Sequence, residues 1–165
     1  MAIEIVPIAV EHAAGFHACL DAVARERRYL AQTQALPLER IERFVRESVA
    51  NDAAQFVALD EQGTVIGWAD VFPAWADAVR HCGTLGMGLH ADHRGRGIGE
   101  RLLRACLAKA GTQGITRVTL EARADNLRAI RLYERVGFMH EALKRHALRF
   151  DGVYYDAVQM SLLLD

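Results

Sequence analysis

The sequence has few of the features that mark secreted, membrane-spanning or disulfide-rich proteins. It contains 3 cysteines in 165 residues, and because they are widely spaced and form no CxxC pair, they fit a reducing compartment better than a disulfide scaffold. No apolar run approaches the roughly 20 residues that a membrane span needs, and the N-terminus lacks the basic and apolar leader of a secreted protein. We therefore expect a cytoplasmic protein with no membrane partner.

Charge of one sign is not in excess, since 20 Lys and Arg residues face 21 Asp and Glu residues. A dedicated nucleic-acid-binding protein draws its affinity from a basic surface, so we expect no nucleic-acid partner. The arginines at 94, 96, 101 and 104 leave a weak basic-loop alternative. His81, His90 and His93 match no standard ligand spacing, so no metal site is expected.

Linker signals are also scarce, because the chain has no internal repeat, no low-complexity tract and only 3 prolines. A chain of this length can bury roughly 70% of its unfolded surface without metal or disulfide staples. Residues 1–165 are therefore predicted to form one domain.

The hydrophobic periodicity predicts seven strands and four helices in the order β-α-α-β-β-β-α-β-α-β-β. This mixed order indicates an α/β domain of the layered α+β type, with a single mixed, largely antiparallel sheet flanked by helices. The predicted strands are 3–8, 55–59, 65–72, 81–89, 115–121, 139–150 and 153–164. The predicted helices are 10–29, 38–49, 98–110 and 127–136, the last with Asn126 as its N-cap.

Glycine is concentrated in the strand 81–89, which carries Gly83, Gly86 and Gly88. Each glycine weakens strand pairing, so the cluster predicts either a bulge or a backbone that another group approaches closely.

The loop after this strand has the composition of an anion-binding turn. Its residues are Arg94, Gly95, Arg96, Gly97, Ile98 and Gly99. A glycine loop at a helix N-terminus presents unpaired N–H groups to phosphate. The spacing matches neither a Rossmann fingerprint nor a Walker loop, so a flexible basic turn is an equal alternative on this evidence alone.

The wider context carries a resemblance to a known family. The loop motif Arg94-x-x-Gly97-x-Gly99 is followed by Leu120-Glu121-Ala122-Arg123-Ala124-Asp125-Asn126 and by the segment 129–138. This series resembles the GCN5-related N-acetyltransferase superfamily, most specifically over residues 82–138. The resemblance implies acetyl-CoA as cosubstrate, with its pyrophosphate on the 94–99 loop, and direct transfer of the acetyl group to a primary amine.

The resemblance also implies two catalytic residues. Glu121 stands five positions before Asn126, as does the base of ribosomal-protein N-terminal alanine acetyltransferases, and we expect partial burial at its strand end to strengthen it as a base. The alternative is a surface or salt-bridged carboxylate, with Arg117, Arg123 and Arg128 as candidate partners. Tyr133 corresponds to the general acid that protonates the departing thiolate, and its alternative is a core tyrosine.

Further cofactor contacts are implied on the adjoining strand and helix. The backbone groups of Met87, Gly88 and Leu89 would bind the pantetheine arm and stabilise the oxyanion, while Asn126 would contact the cofactor or an ordered water.

The acceptor implied by the resemblance is a small-molecule amine or a peptide N-terminus. Arg25, Arg27 and Arg28, next to Tyr29, are candidates for recognising an acceptor carboxylate. Members of this superfamily often dimerise, so a homodimer is expected. A catalytically silent acyl-CoA-binding sensor is the competing function.

Overall fold

The computed structural model describes residues 2–164 and has the predicted order of elements. The helices are α1 (Ala13–Arg25), α2 (Leu38–Ala50), α3 (Ile98–Thr112) and α4 (Leu127–Val136). The strands are β1 (Glu4–Pro7), β2 (Ala54–Leu59), β3 (Val65–Pro73), β4 (Cys82–Leu89), β5 (Arg117–Arg123), β6 (Met139–Phe150) and β7 (Val153–Leu163). No helix in this part of the chain is both long and apolar enough to span a bilayer.

All seven strands form one sheet in the order β1-β2-β3-β4-β5-β7-β6. Every neighbouring pair is antiparallel except β4 and β5, which are parallel. The mixed, largely antiparallel sheet predicted from the sequence is therefore confirmed.

Two apolar layers cover the two faces of the sheet. Against α3 and α4 the layer is completed by residues such as Leu102, Cys106 and Ile130, all buried. Against α1 and α2 it includes Phe16 and Trp68, whose rings meet edge to face at 5.7 Å. Burial on both faces holds the central strands rigidly, as a functional site built on them requires.

The first helix is shorter than its sequence pattern suggests. It ends at Arg25, and Arg27 takes a left-handed backbone with φ of 53°. The acidic side chain between them, Glu26, is bound by Arg94 from the loop after β4. The helix thus ends next to an ion pair between Glu26 and Arg94, which are 68 residues apart in the sequence.

The glycines of β4 serve close packing and do not form a bulge. From Gly83 to Leu89 the strand pairs with β3 in unbroken register. A Cβ atom on Gly88 would lie 2.3 Å from the ring of Trp68 on β3, so glycine leaves the space that the indole fills. The predicted bulge was therefore wrong, and the predicted close approach of another group to the β4 backbone is confirmed by Trp68.

The last two strands form a long hairpin at the edge of the sheet. Asp151 and Gly152 connect them with φ of 50° and 81°, the left-handed pair of a type I′ turn that Asp-Gly favours. Their pairing is irregular between His140 and Ala142 and again between Lys144 and Leu148.

Candidate active site

A cleft opens where β4 and β5 part. The two strands pair only from Cys82–Thr84 to Arg117–Thr119. Beyond that point β4 continues along β3 to Leu89 and β5 continues along β7 to Arg123. The backbone of β4 from residue 85 onward is therefore free on the side that faces β5, within the part of the chain described.

A cavity of about 440 Å³ lies over this cleft on the side of the α1–α2 loop. Its walls come from four strands and from the segment after α1. They are formed by Tyr29, Ala31, Thr84, Leu85, Thr119, Leu120, Glu121, Ala122, Arg123, Lys144, Ala147, Leu148, Ala157 and Gln159. Both acidic and basic side chains line it, so it is suited to a polar molecule.

The glycine loop ends at the N-terminus of α3, as predicted. Gly95 and Gly97 have φ of 79° and 78°, and Gly97 is the N-cap of α3. The first N–H groups of a helix have no partner within it and carry partial positive charge. Ile98 buries its side chain, so only its backbone can face a ligand there.

The side chain of Arg94 is directed away from the glycine loop. Its guanidinium is 18% exposed and donates to the carboxylate of Glu26 at 2.9 and 2.5 Å and to the carbonyl of Leu89 at 2.9 Å. It also lies 4.5 Å from the ring centre of Tyr29. The pair with Glu26 raises the pKa of Arg94. These contacts fix the loop against α1 and the cavity wall, while Arg96 stays exposed.

Residues at the end of β4 lie beside the first turn of α3. A Cβ atom on Gly99 would be 3.6 Å from the Cε of Met87 and 3.5 Å from Leu132, so the glycine loop and the residues 87–89 border one surface. Asn126 caps α4 through its Oδ1, which accepts from the N–H of Ala129 at 3.4 Å. The predicted cap is confirmed, and its contact with a cofactor stays a prediction.

Glu121 is more exposed than expected. Its side chain is 50% exposed and forms an ion pair with Lys144 of β6, which is equally exposed. The structure therefore agrees with the alternative of a surface, salt-bridged carboxylate, although the partner is Lys144 and not Arg117, Arg123 or Arg128. The role of Glu121 as a base stays a prediction. The carboxylate lines the cavity. The predicted position at the strand end was wrong, because β5 continues past Glu121 to Arg123.

Tyr133 is buried in the layer between the sheet and α4. Its side chain is 8% exposed and meets Phe138 edge to face at 5.8 Å. Burial raises the pKa of the phenol to about 12, so the hydroxyl keeps its proton at neutral pH and can donate it. Tyr133 does not line the cavity. Leu85 and Leu120 line the cavity and also belong to the apolar layer that contains Tyr133.

Two polar residues near the cleft were missed by the sequence reasoning. Lys144 was assigned only to a strand, because its proximity to Glu121 depends on the order β5-β7-β6 in the sheet, which the sequence pattern does not specify. Asp70 lies on β3 opposite Gly86, and burial raises the pKa of its carboxyl to about 7. A charged residue in the otherwise apolar strand 65–72 was the available signal.

Metal-ligating side chains are dispersed. Within residues 2–164 no group of three or more His, Cys, Asp or Glu side chains is arranged to hold a metal ion.

Comparison with known proteins gives a consistent family match. A model of the acetyltransferase (GNAT) family matches residues 16–138. The match contains the glycine loop, Glu121 and Tyr133, and it ends before the β6 and β7 residues of the cavity wall.

Individual relatives support the same match. The chain is 34% identical over 111 residues to N-alpha-acetyltransferase RimI of Mycobacterium tuberculosis. This alignment covers 66% of this chain and 66% of that protein. The chain is 30% identical over 111 residues to the L-methionine sulfoximine/L-methionine sulfone acetyltransferase of Pseudomonas aeruginosa, covering 66% and 64%. The aligned part thus spans less than two thirds of the second relative and about two thirds of the first.

The fold is shared with solved structures. The structure of yncA from Salmonella typhimurium with its cofactor acetyl-CoA superposes with a TM-score of 0.92 at 19% identity, covering 100% of this chain and 95% of that chain. The predicted fold is confirmed by this likeness.

Proposed function

The chain belongs to the acetyltransferase (GNAT) family, and on that premise we propose that it transfers the acetyl group of acetyl-CoA to a primary amine. One observation carries the proposal. The opening between β4 and β5 has an anion-binding helix terminus beside it and a polar cavity over it. A cosubstrate with a phosphate end and a reactive end, and an acceptor, can then meet at the opening.

The residues around the opening fit acetyl-CoA. The N–H groups from Gly95 to Gly99 would hold the pyrophosphate, because the loop has no side chain over Gly97, where a Cβ atom would meet nothing within 4 Å. The free backbone of Met87, Gly88 and Leu89 would hold the pantetheine arm as an added strand does. The bound thioester supplies an activated acetyl group.

Glu121 would accept the proton that the acceptor amine must lose before it attacks. A lysine-type amine has a pKa near ~10.4 and an α-amine near ~8, so both are mainly protonated at pH 7. The carboxylate faces the cavity, where it can hold an incoming ammonium group and pass its proton to water.

Tyr133 would protonate the departing thiolate. Its phenol is protonated over the working pH range because burial raises its pKa, and it lies on the layer opposite the cavity. Acid and base would therefore act from opposite faces of the sheet, through the gap between β4 and β5.

The acceptor that we propose is a small-molecule amine or a peptide N-terminus. Negative Glu121 and positive Arg123 and Lys144 line one cavity, which favours an amine that also carries an acidic or polar group. The names of the two relatives support both acceptor classes. We place the reaction in the cytoplasm, and support comes from three free cysteines.

We also propose that residues 1–165 act as one domain and assemble as a homodimer. Strands from residue 4 to residue 163 share one sheet, which supports the single domain. The edge strand β6 is 12 residues long, and such an edge pairs readily with another chain. Exposed apolar side chains, including Met139, Leu143 and Tyr154, accompany it.

CoA release from acetyl-CoA, measured over amino acids, polyamines and peptide N-termini, tests the activity. We expect Glu121→Gln and Tyr133→Phe each to lower kcat about 10-fold or more, about 1.4 kcal/mol of barrier. The matched controls Glu141→Gln and Tyr154→Phe alter exposed residues outside the cavity and should leave kcat unchanged. Acetyl-CoA binding without turnover of any amine would instead favour the sensor function, and absence of binding would refute the cofactor site.

A further inference from the structure

Lysine is rare in this chain, and one of its lysines lies in the cavity. Of the 20 cationic residues other than histidine, only Lys109 and Lys144 are lysines and the other 18 are arginines. The arginine guanidinium stays protonated and is not a nucleophile, whereas a lysine amine becomes one after losing a proton. Lys144 is therefore the one amine among the side chains that line the cavity.

The register of the sheet brings Lys144 to the candidate base. Lys144 pairs with Ala157 and Glu121 pairs with Gln159, both on β7. Two residues apart on one strand, Ala157 and Gln159 share a face, and both line the cavity. The Lys144 ammonium reaches across β7 and forms an ion pair with the Oε1 of Glu121. Its Nζ thus occupies the position in which an incoming amine would meet the base.

We propose that Lys144 is an acetyl acceptor within the chain, so that the protein acetylates its own Lys144 from acetyl-CoA. This inference rests on the proposed function, because it uses the same cosubstrate and the same base.

The step balances with acetyl-CoA as the acyl donor. Glu121 takes one proton from the Lys144 ammonium and releases it to water. The freed electron pair on Nζ forms a bond to the acetyl carbonyl carbon, and the carbon–sulfur bond of acetyl-CoA breaks. A second proton leaves Nζ and ends on the CoA sulfur. The products are an amide on Lys144, free CoA thiol and one proton.

Acetylation would change the cavity as well as the lysine. The amide carries no charge, so the ion pair with Glu121 is lost and its carboxylate becomes free to hold an external amine. The unmodified lysine would be the first acceptor that the base meets.

Peptide mapping of the intact protein after incubation with acetyl-CoA tests the inference. Cleavage after arginine places Lys144 in peptide 136–145 and Lys109 in peptide 105–117. Lys109 is a built-in control, since it also pairs with a carboxylate, Asp52 at 2.8 Å, but lies outside the cavity. We expect one acetyl group on Lys144 and little on Lys109, at a rate independent of protein concentration. Lys144→Arg should remove the signal and keep the positive charge.

The Glu121→Gln variant separates catalysed from chemical acetylation. With acetyl-CoA it should lower Lys144 labelling about 10-fold or more, because the proton acceptor is gone. With acetic anhydride and no acetyl-CoA it should leave Lys144 labelling at the wild-type level, because this reagent acetylates amines without the cosubstrate or a catalytic base.

Three results would overturn the inference: equal acetylation of both lysines, equal labelling from acetyl-CoA in wild type and Glu121→Gln, or no acetyl group on Lys144 in protein that binds acetyl-CoA. The last result leaves the proposed function intact if external amines are acetylated. Failure to bind acetyl-CoA would refute both proposals, and titration calorimetry on the same sample detects it.

Discussion

Asp70 is a residue near the cleft whose carboxyl is buried, so its charged form is disfavoured. It stands between Gln55 of β2 and Gly86 of β4 in the sheet. Gln55 is fully buried, its Oε1 accepts from the hydroxyl of Ser48 at 2.6 Å, and its Nε2 has no partner within residues 2–164. Burial raises the pKa of Asp70 from 3.8 to about 7, although the backbone of Gly86 partly opposes this.

A raised pKa in the folded state makes stability depend on pH in a defined direction. Between about pH 4 and about pH 7, Asp70 keeps its proton in the folded protein but has lost it in the unfolded chain. The contribution of Asp70 to stability is therefore present at low pH and is lost as the pH rises through about 7.

Asp70→Asn should remove this dependence. We expect the free energy of unfolding of the wild type, relative to the variant, to fall by about 2–3 kcal/mol between about pH 5 and about pH 8. Urea denaturation of both proteins at the two pH values measures it. Parallel pH profiles for wild type and variant would show that Asp70 does not titrate in this range.

Sequence motifs locate candidate site residues better than they locate the partners of those residues. The positions of Glu121 and Tyr133 follow from the strand and helix patterns and from the motif around Asn126. The pairing of Glu121 with Lys144 does not, because it requires β7 to lie between β5 and β6 in the sheet, and no local pattern specifies that strand order.

At the scale of elements, α3 and the loop before it form the unit that we propose to bind phosphate. The loop needs left-handed backbone at Gly95 and Gly97, and α3 follows at once with six buried side chains. Helix packing thus fixes the direction in which the loop N–H groups point.

Gly97→Ala should weaken acetyl-CoA binding, and Gly63→Ala is its matched control. Both glycines have φ of +78° and open space around a would-be Cβ atom, so each variant should lose about 1–2 kcal/mol of stability from backbone strain. Gly63 lies in the β2–β3 turn, so only Gly97→Ala should also raise the acetyl-CoA Kd, by about 10-fold for one charge-assisted hydrogen bond. Titration calorimetry measures the Kd, and equal values for both variants would contradict the assignment of the loop.

Element order was predictable from the sequence, whereas some element ends and distortions were not. Amphipathic spacing, the Asn126 cap and the Asp-Gly turn are local signals, and the structure has each feature where it was expected. The end of α1 at Arg25 coincides with a contact between Glu26 and Arg94, and the β4 glycines are matched to Trp68 on the neighbouring strand. Contacts between residues that are distant in the sequence produce no hydrophobic periodicity from which they could be predicted.

At the scale of the whole molecule, the sheet has one strand edge that is long and bordered by apolar side chains. That edge is β6, and its hairpin with β7 extends to the end of the described chain. A second copy of the chain could cover it and bury Leu143, which is 58% exposed.

Leu143→Asp should therefore convert a dimer into a monomer. Val79→Asp is a matched control, because Val79 is 43% exposed in a short turn between β3 and β4, away from the hairpin. Light scattering coupled to size-exclusion chromatography measures the mass of each variant. A monomeric wild type, or dissociation caused equally by both substitutions, would refute the interface.

The short parallel contact between β4 and β5 also divides the sheet mechanically. Strands β1–β4 form one hydrogen-bonded block and β5–β7 another, and three residue pairs join them. In hydrogen-exchange terms, amides along this seam should open before those inside either block. A ligand that bound α3 with one end and lay between β4 and β5 with the other would connect the two blocks. We therefore expect ligand binding to slow amide exchange along this seam more than inside either block.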